Sequence, residues 1–351
     1  MKKIGFAIVG AGNAAKMHAE AVRAIPHAQV RVICNRAEAK GRPLAEAFDA
    51  EWTPDYRQAV ARDDVEAVCV CTPSGTHAEI AEAAAQAGKH LAVEKPIDVT
   101  LERADRIIHA AQHAGVKMTC IFHNRFTIGV YKARQALGQG RLGKLTLAEA
   151  SVKWYRPQEY YDASWRGTRA LDGGGALMNQ AIHTIDLMQW LAGPVDTVFG
   201  HTATLAHQMQ TEDTASAVVT FRNGALGVIQ GATSCWPGEQ ARLALHGERG
   251  TIVLKEGRIA TWKLADADPD EELQMLALER DLGSGSSDPQ EIGYELHRRQ
   301  ITDLVEAIRE DRPPAVEGVE ARRAVEIVLA IYESAQQGAI VTLPLMTGMR
   351  V

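Results

Sequence analysis

The sequence predicts an α/β protein of two domains, the first built on a parallel sheet with crossover helices and the second on an antiparallel or mixed sheet. Three observations carry this expectation. A chain of 351 residues exceeds what one ordinary domain holds. Strand and helix signals alternate from Lys3 to about Phe122, and the strands are continuous apolar runs, as expected where helices cover both faces of a parallel sheet. Beyond Phe122 the rhythm changes to successive strand-like runs joined by turn signals. The boundary is therefore placed there, giving domains at 1–122 and 123–351.

The first domain reads in order as strand Ile4–Val9, helix Ala14–Ala24, strand Val30–Cys34, helix Lys40–Phe48, strand Ala67–Cys71, helix His77–Ala87, strand His90–Val93, helix Leu101–Ala114 and strand Lys117–Phe122. The second opens with a helix near Gly129–Gly138 and a long strand Leu145–Trp154, followed by an irregular aromatic stretch and a helix from about Gly175. Six strand-like runs come next: Val195–Leu205, Thr214–Arg222, Ala225–Ser234, Arg242–His246, Thr251–Leu254 and Ile259–Lys263. Arg222-Asn223-Gly224 and Gly247-Glu248-Arg249-Gly250 serve as turn signals between them. The acidic stretch Leu264–Gln290 contains Gly283-Ser284-Gly285-Ser286-Ser287 and reads as a solvent-exposed excursion. Ile301, Leu304, Val305 and Ile308, then Val325, Val328, Ile331 and Tyr332, recur at helical spacing.

Composition narrows the function classes. With 46% hydrophobic and 23% charged residues the chain reads as globular, and a formal charge of -6 gives no electrostatic reason to expect nucleic acid or an anionic membrane as partner. No apolar stretch approaches membrane-spanning length, and the first strand begins too early for a signal peptide, so the cytoplasm is the expected compartment. Of the five cysteines, Cys34, Cys69, Cys71 and Cys120 lie in or beside apolar strands and read as buried, reduced thiols. Cys69 and Cys71 share a strand face, but metal coordination needs further ligands, so no metal is expected.

The segment Gly10-Ala11-Gly12-Asn13-Ala14-Ala15 links the first strand to the first helix and marks a dinucleotide site. Gly10 permits the sharp turn, Gly12 lets a pyrophosphate approach bare backbone, and Asn13 and Ala14 open a helix whose free N–H groups face the phosphates. Ala15 stands where a small residue lets helix pack on strand. At the end of the second strand a carboxylate usually holds the ribose of NAD. Here Asn35 and Arg36 stand instead, so NAD or NADP is expected: Arg36 can pair with a 2'-phosphate, or Asn35 can hold the ribose.

Three further segments carry chemistry. Glu94-Lys95-Pro96 follows a parallel strand at the carboxyl edge of the sheet, where such sheets bind ligands. Asp172-Gly173-Gly174-Gly175 reads as a helix start with a capping carboxylate and a backbone that something approaches closely. On that helix Asn179, His183 and Asp186 are spaced to share one face. Trp154-Tyr155-Arg156-Pro157, with Tyr160, Tyr161, Trp165 and Arg166, gathers aromatic and guanidinium groups suited to a pyranose ring and an attached anion, or to a hydrophobic cover or subunit contact.

The glycine segment, Cys71-Thr72-Pro73-Ser74-Gly75-Thr76-His77, Glu94-Lys95-Pro96 and the glycine-rich helix with His183 together resemble the glucose-fructose oxidoreductase/inositol dehydrogenase (Gfo/Idh/MocA) family, over nearly the whole chain. The resemblance implies an N-terminal Rossmann domain and a C-terminal α+β domain whose open-faced, largely antiparallel sheet makes oligomer contacts. It also implies NAD(P)-dependent oxidation of a secondary ring hydroxyl in a sugar, cyclitol or sugar derivative. In that family a lysine, an aspartate and a histidine form the catalytic group. Lys95 and His183 match, whereas Asn179 holds the aspartate position and cannot share a proton. A similar Asn-Gln-x-x-His sequence occurs in a branch resembling nucleotide-sugar 3-dehydrogenases.

The expected cofactor contacts are accordingly Gly10, Gly12, Asn13, Ala14, Asn35, Arg36, Thr72, Pro73, Thr76, His77, Glu94, Lys95, Trp165 and Arg166. Substrate contacts are expected from Lys95, Tyr155, Arg156, Tyr161, Asn179 and His183, with Lys95 and His183 catalytic. The expected assembly is a homodimer or homotetramer. Two other readings share these motifs: a glycosidase that uses NAD for transient oxidation, and a nucleotide-sensing regulator without turnover.

Overall fold

The computed structural model describes residues 2–162, 165–278 and 293–345. Residues 1–123 together with 293–322 form one compact unit, and residues 124–292 with 323–351 form the other.

In the first unit the strands β1 (Ile4–Val9), β2 (Ala28–Cys34), β3 (Glu51–Thr53), β4 (Ala67–Val70), β5 (His90–Val93) and β6 (Met118–Cys120) make a six-stranded sheet in the order β3-β2-β1-β4-β5-β6. Every pairing in it is parallel, and the sheet is the doubly wound arrangement expected from the alternating pattern. The connecting helices are α1 (Asn13–Arg23), α2 (Glu38–Ala47), α3 (Tyr56–Val60), α4 (His77–Gln86) and α5 (Leu101–Ala114). Three-residue β3 and five-residue α3 escaped the sequence reading because neither is long enough to display a period. Register sets Val9 beside Cys34 and Val70, and Val70 beside Val93, so Gly10, Asn35, Cys71 and Glu94 all emerge at one edge.

Residues 293–322, expected in the second domain, belong to this first unit. The helix Glu295–Glu310 buries Ile301, Leu304 and Val305 in the same cluster as Phe6, Ile8, Ala15, Ala19 and Val22. Its Gln300 amide donates to Thr119 Oγ1 at 2.9 Å and to the Cys120 carbonyl at 2.7 Å, tying the helix to β6. The apolar stripe was legible in sequence; which sheet it covers was not.

The second unit is an eight-stranded sheet of β7 (Leu145–Lys153), β8 (Val195–Ala203), β9 (Thr214–Phe221), β10 (Leu226–Ala232), β11 (Arg242–Gly247), β12 (Gly250–Lys255), β13 (Arg258–Leu264) and β14 (Val341–Thr342), ordered β13-β12-β11-β7-β10-β9-β8-β14. Its pairings are antiparallel except β7 with β10. One face buries Ala148, Ala150 and Val152 of β7 with Ala215, Ala217 and Val219 of β9. Gly200 on β8 admits Ile331 of the helix Gly318–Gln337, since a Cβ there would lie 2.9 Å from Ile331 Cγ2. The opposite face is open, with Val218 53% and Leu226 58% exposed. α6 (Ile128–Gly138) and α7 (Ile182–Ala192) fall near the expected helices, and α8 (Pro269–Leu276) occupies part of the acidic stretch. The Gly283–Ser287 run lies outside the described residues. Among the described residues, no helix is long and apolar enough to cross a membrane.

Candidate active site

The dinucleotide loop is shaped by what cannot tolerate a side chain. Gly10 has a φ of +127°, and a Cβ on it would sit 2.3 Å from the Cys71 carbonyl oxygen. Gly12 is exposed with open space around its Cβ position, and α1 begins after it with no side-chain cap and no acidic residue in its first turn. The helix N-terminus is thus left to an outside anion, and the residues fit a pyrophosphate. Asn13 and Ala14 lie on that first turn and Ala15 packs beneath it, fully buried. Asn35 is half-buried with its backbone carbonyl accepting from Trp52 Nε1 at 3.1 Å, and Arg36 is exposed. Thr76 Oγ1 donates to Pro73 O at 2.7 Å and lies 2.8 Å from Thr72 Oγ1, closing a tight loop at the same edge. His77, expected against the cofactor, is 1% exposed; its ring nitrogens lie 3.0 Å from Pro96 O and 2.9 Å from Thr72 O. It is a strut between the Thr72 and Pro96 loops.

Glu94, also expected to contact the cofactor, turns inward. Its Oε1 lies 2.8 Å from His18 Nε2 and 3.6 Å from His297 Nε2, and its Oε2 accepts the Lys95 backbone N–H at 3.2 Å. Burial works to raise the Glu94 pKa, but the hydrogen bond with His18 and the nearby imidazole of His297 outweigh it and hold the carboxyl well below its ordinary value. Burial likewise opposes charge on His18, yet its pKa is held well above the ordinary imidazole value, with Nε2 at 2.8 Å from the Glu94 carboxylate. His297, lowered by burial, stacks on His123 with ring centroids 4.4 Å apart. The ligand atoms of His18, Glu94 and His297 all lie within 4.8 Å of one another, close enough for a cation. A protonated imidazole offers no lone pair, so in this state the cluster is an ion pair that fixes the backbone beneath Lys95. Sequence reasoning missed it. The available signal was His18 on the apolar stripe Ala15, Ala19, Val22 of α1, a buried polar position that demands a partner.

In the second unit the glycine triplet has a different reason than a cap at Asp172. Gly173 has a φ of +75°; a Cβ on Gly174 would meet Tyr332 Oη at 2.1 Å, and one on Gly175 the Glu212 carbonyl oxygen at 1.8 Å. Glu212, remote in sequence, is the capping carboxylate. It accepts from Gly175 N at 3.0 Å, Leu177 N at 2.8 Å and Tyr332 Oη at 2.9 Å. Burial dominates and pushes its pKa up to about 7. Asp172, 1% exposed, instead accepts from Gly167 N at 2.8 Å and Asn179 Nδ2 at 2.5 Å.

The helix so anchored opens with a π-helical turn, Ala176–Ala181, before α7. Of residues 174–192 only Asn179, His183 and Trp190 escape burial. Asp186, expected on the same polar face, is fully buried in a two-pronged ion pair with Arg125, at 2.7 and 2.5 Å. Asn179 and His183 are therefore the polar groups this helix offers.

The aromatic stretch divides. Tyr161, expected to touch substrate, is 6% exposed and its hydroxyl donates to Thr233 Oγ1 at 2.8 Å, so it packs the interior. Arg156, also expected there, is 2% exposed, with its guanidinium 5.1 Å from the Trp154 ring and 5.6 Å from that of Tyr160, and it donates to Tyr155 O at 2.7 Å. Tyr155, Trp165 and Arg166 remain half-buried, Arg166 lying 4.3 Å over Tyr160.

Comparison with known proteins adds independent findings. Residues 4–122 match the oxidoreductase family with an NAD-binding Rossmann fold, and residues 130–253 match the GFO/IDH/MocA C-terminal domain. The crystal structure of the WlbA dehydrogenase from Bordetella pertussis, in complex with NADH and UDP-GlcNAcA, is 33% identical with a TM-score of 0.89, covering 98% of this chain and 99% of that one. Myo-inositol 2-dehydrogenase of Thermotoga maritima is 26% identical over 351 residues, which is 97% of this chain and 99% of the relative. Levoglucosan dehydrogenase of Pseudarthrobacter phenanthrenivorans is 28% identical over 295 residues, 74% and 75% of the two chains.

Proposed function

Because this chain belongs to the Gfo/Idh/MocA oxidoreductase family, we propose that it oxidises a secondary ring hydroxyl of a sugar, cyclitol or nucleotide sugar with Lys95 and His183 acting on that hydroxyl. The observation that carries the reading is that each unit holds its own part of the motif in place: Glu94 holds the Lys95 backbone N–H at the sheet edge of the first, and in the second Asn179 and His183 are the polar groups of residues 174–192 that escape burial. NAD or NADP is bound by Gly10, Gly12, Asn13 and Ala14 at the α1 N-terminus, with Asn35 or Arg36 on the ribose side and Thr72, Pro73 and Thr76 near the ring. When bound, the nicotinamide supplies the acceptor for hydride from the carbinol carbon. His183 takes the hydroxyl proton, a task suited to imidazole near neutral pH. Lys95 donates a hydrogen bond to the same oxygen and stabilises the charge that develops on it.

Similarity to a structure bound to UDP-GlcNAcA, and the Asn179-Gln180 pair before His183, favour a nucleotide sugar as substrate. Turnover of myo-inositol, levoglucosan and UDP-GlcNAcA with NAD and NADP, followed by absorbance of the reduced cofactor, tests the class. Lys95→Met and His183→Ala should each lower turnover by about two orders of magnitude or more while leaving nucleotide binding largely intact. Near-normal turnover in either variant removes that residue from the mechanism.

The open sheet face supports assembly of copies of this chain. Val218 lies directly opposite Val228, and Leu226 opposite Thr220, on a surface whose exposed apolar area is costly at about 25 cal/mol per Å². Light scattering should give a multiple of 38.1 kDa at micromolar concentration, and a monomer mass refutes the assembly.

A further inference from the structure

We propose that His77 is a positioning residue that, as an imidazolium donating from both ring nitrogens, ties the loop after β4 to the loop after β5, so that nucleotide affinity follows its protonation. This deepens the dehydrogenase reading and rests on it only for the ligand. His77 is 1% exposed at the start of α4, with Nδ1 3.0 Å from the Pro96 carbonyl oxygen and Nε2 2.9 Å from that of Thr72. Backbone carbonyls only accept. A neutral imidazole has one N–H, so it makes one of these bonds and turns a lone pair toward the other oxygen; the doubly protonated ring makes both.

The surroundings suit such a charge. The dipole of α4 opposes a cation at its first residue, but Asp98, fully buried, accepts Ala78 N at 2.8 Å and sets a carboxyl at the same helix end. Asp98 also accepts Val99 N and Arg103 Nε, each at 2.7 Å, and Arg103 Nη2 donates to Gly75 O at 2.6 Å, a second tie between the same loops. The other titratable side chains of the neighbouring elements are engaged elsewhere. Glu79 of α4 accepts from Tyr56 and Arg57, Glu82 from Arg106 of α5, and Glu94 after β5 bonds to His18. Burial pushes the Cys71 thiol, after β4, up to about 11. Thr72, Pro73, Thr76 and Lys95 are half-buried in the tied loops, and they are the residues assigned to the cofactor and the reacting hydroxyl. With both ties made, these loops are ordered before the nucleotide arrives; with one lost, part of that ordering is deferred to binding and weakens it.

Two measurements on the full chain test this. Nitrogen NMR of the histidine rings counts the N–H groups of His77, assigned by their loss in His77→Gln, and titration with NAD or NADP gives Kd, both from about pH 5.5 to about pH 9. We expect two N–H groups on His77 at the acid end and one at the alkaline end, with Kd rising about threefold to tenfold across the same step, the worth of one hydrogen bond. His77→Asn keeps a donor where Nδ1 stood and His77→Gln one where Nε2 stood, so each retains a single tie. Both should bind nucleotide as the parent does at the alkaline end, and neither should show the parent's step. A purely structural role would lower the melting temperature of these variants and leave the step in place, and that result overturns the inference. So does a His77 ring with the same N–H count at both ends, or a Kd step displaced from the His77 titration by more than about one pH unit, and neither of these needs a variant. A parent that binds neither NAD nor NADP refutes the dehydrogenase reading and this inference with it.

Discussion

Replacing Glu212 by Gln should remove a pH-dependent share of stability that the structure puts at about 3 kcal/mol. The carboxyl is 6% exposed and receives two backbone N–H groups and the Tyr332 hydroxyl, yet burial pushes its pKa up to about 7 from an ordinary 4.5. Because the folded value lies above the unfolded one, the folded state holds the proton more tightly. Its contribution is complete below about pH 4.5 and is lost as pH rises through about 7. A difference of about 2.5 pH units at 1.36 kcal/mol each gives the figure, most of it between pH 5 and pH 8. Glutamine has no such titration and also turns an NH2 group toward one of the N–H donors, a cost of about 1–3 kcal/mol at every pH. Urea unfolding of both proteins at pH 5, 6, 7 and 8, followed by tryptophan fluorescence, isolates the effect, since every other group titrates alike in the two. The stability difference between parent and variant should move by about 2.5 kcal/mol in the variant's favour from pH 5 to pH 8. A gap constant within about 0.5 kcal/mol refutes the assignment of a raised pKa to Glu212.

Gly10 and Gly12 should separate folding from binding. Gly10→Ala forces a side chain against Cys71 O at a φ of +127° and should cost at least about 3 kcal/mol in unfolding experiments, whereas Gly12→Val meets open space and should leave the melting temperature unchanged while weakening NAD at least about tenfold by titration. Retained NAD affinity in Gly12→Val would place the phosphates elsewhere. For cofactor choice, NADP should bind no worse than about tenfold weaker than NAD, and Arg36→Ala should weaken NADP selectively; strong exclusion of NADP by the unmodified protein contradicts that role for Arg36.

Local chemistry made much of this chain legible. Ile4–Val9, His90–Val93 and Leu101–Ala114 coincide with β1, β5 and α5, because an apolar run or a 3.6-residue stripe is a property of contiguous residues. Gly10 and the position of Lys95 were readable for the same reason: a tight turn and a strand end are local. What failed was pairing across the chain. The stripe of Ile301, Leu304 and Val305 announced a helix but not that it would cover Phe6 and Ile8. Tyr161 and Arg156 looked like ligand-binding groups by type, and only the fold shows both buried, with the Tyr161 hydroxyl donating to Thr233 and Arg156 Nη1 to the Tyr155 carbonyl.

The glycine triplet shows why such pairings stay hidden. Its sequence announces that something passes close to the backbone, and Asp172 beside it has the right chemistry for a cap. The group that passes is Glu212 with Tyr332, 37 residues beyond Gly175 in the case of the Gly175–Glu212 bond. Once Glu212 satisfies the helix N-terminus, Asp172 is released from capping and can engage Gly167 and Asn179. The same accounting explains Glu94. Its neighbour Lys95 marks a ligand edge, but a buried carboxylate must find donors, and His18, far away in sequence, supplies one, with His297 from the other end of the chain close beside it. In both places a buried carboxylate beside a glycine-rich or ligand-edge segment spends its oxygens on donors of the protein: Glu94 accepts the Lys95 backbone N–H, and Asp172 accepts the Asn179 amide.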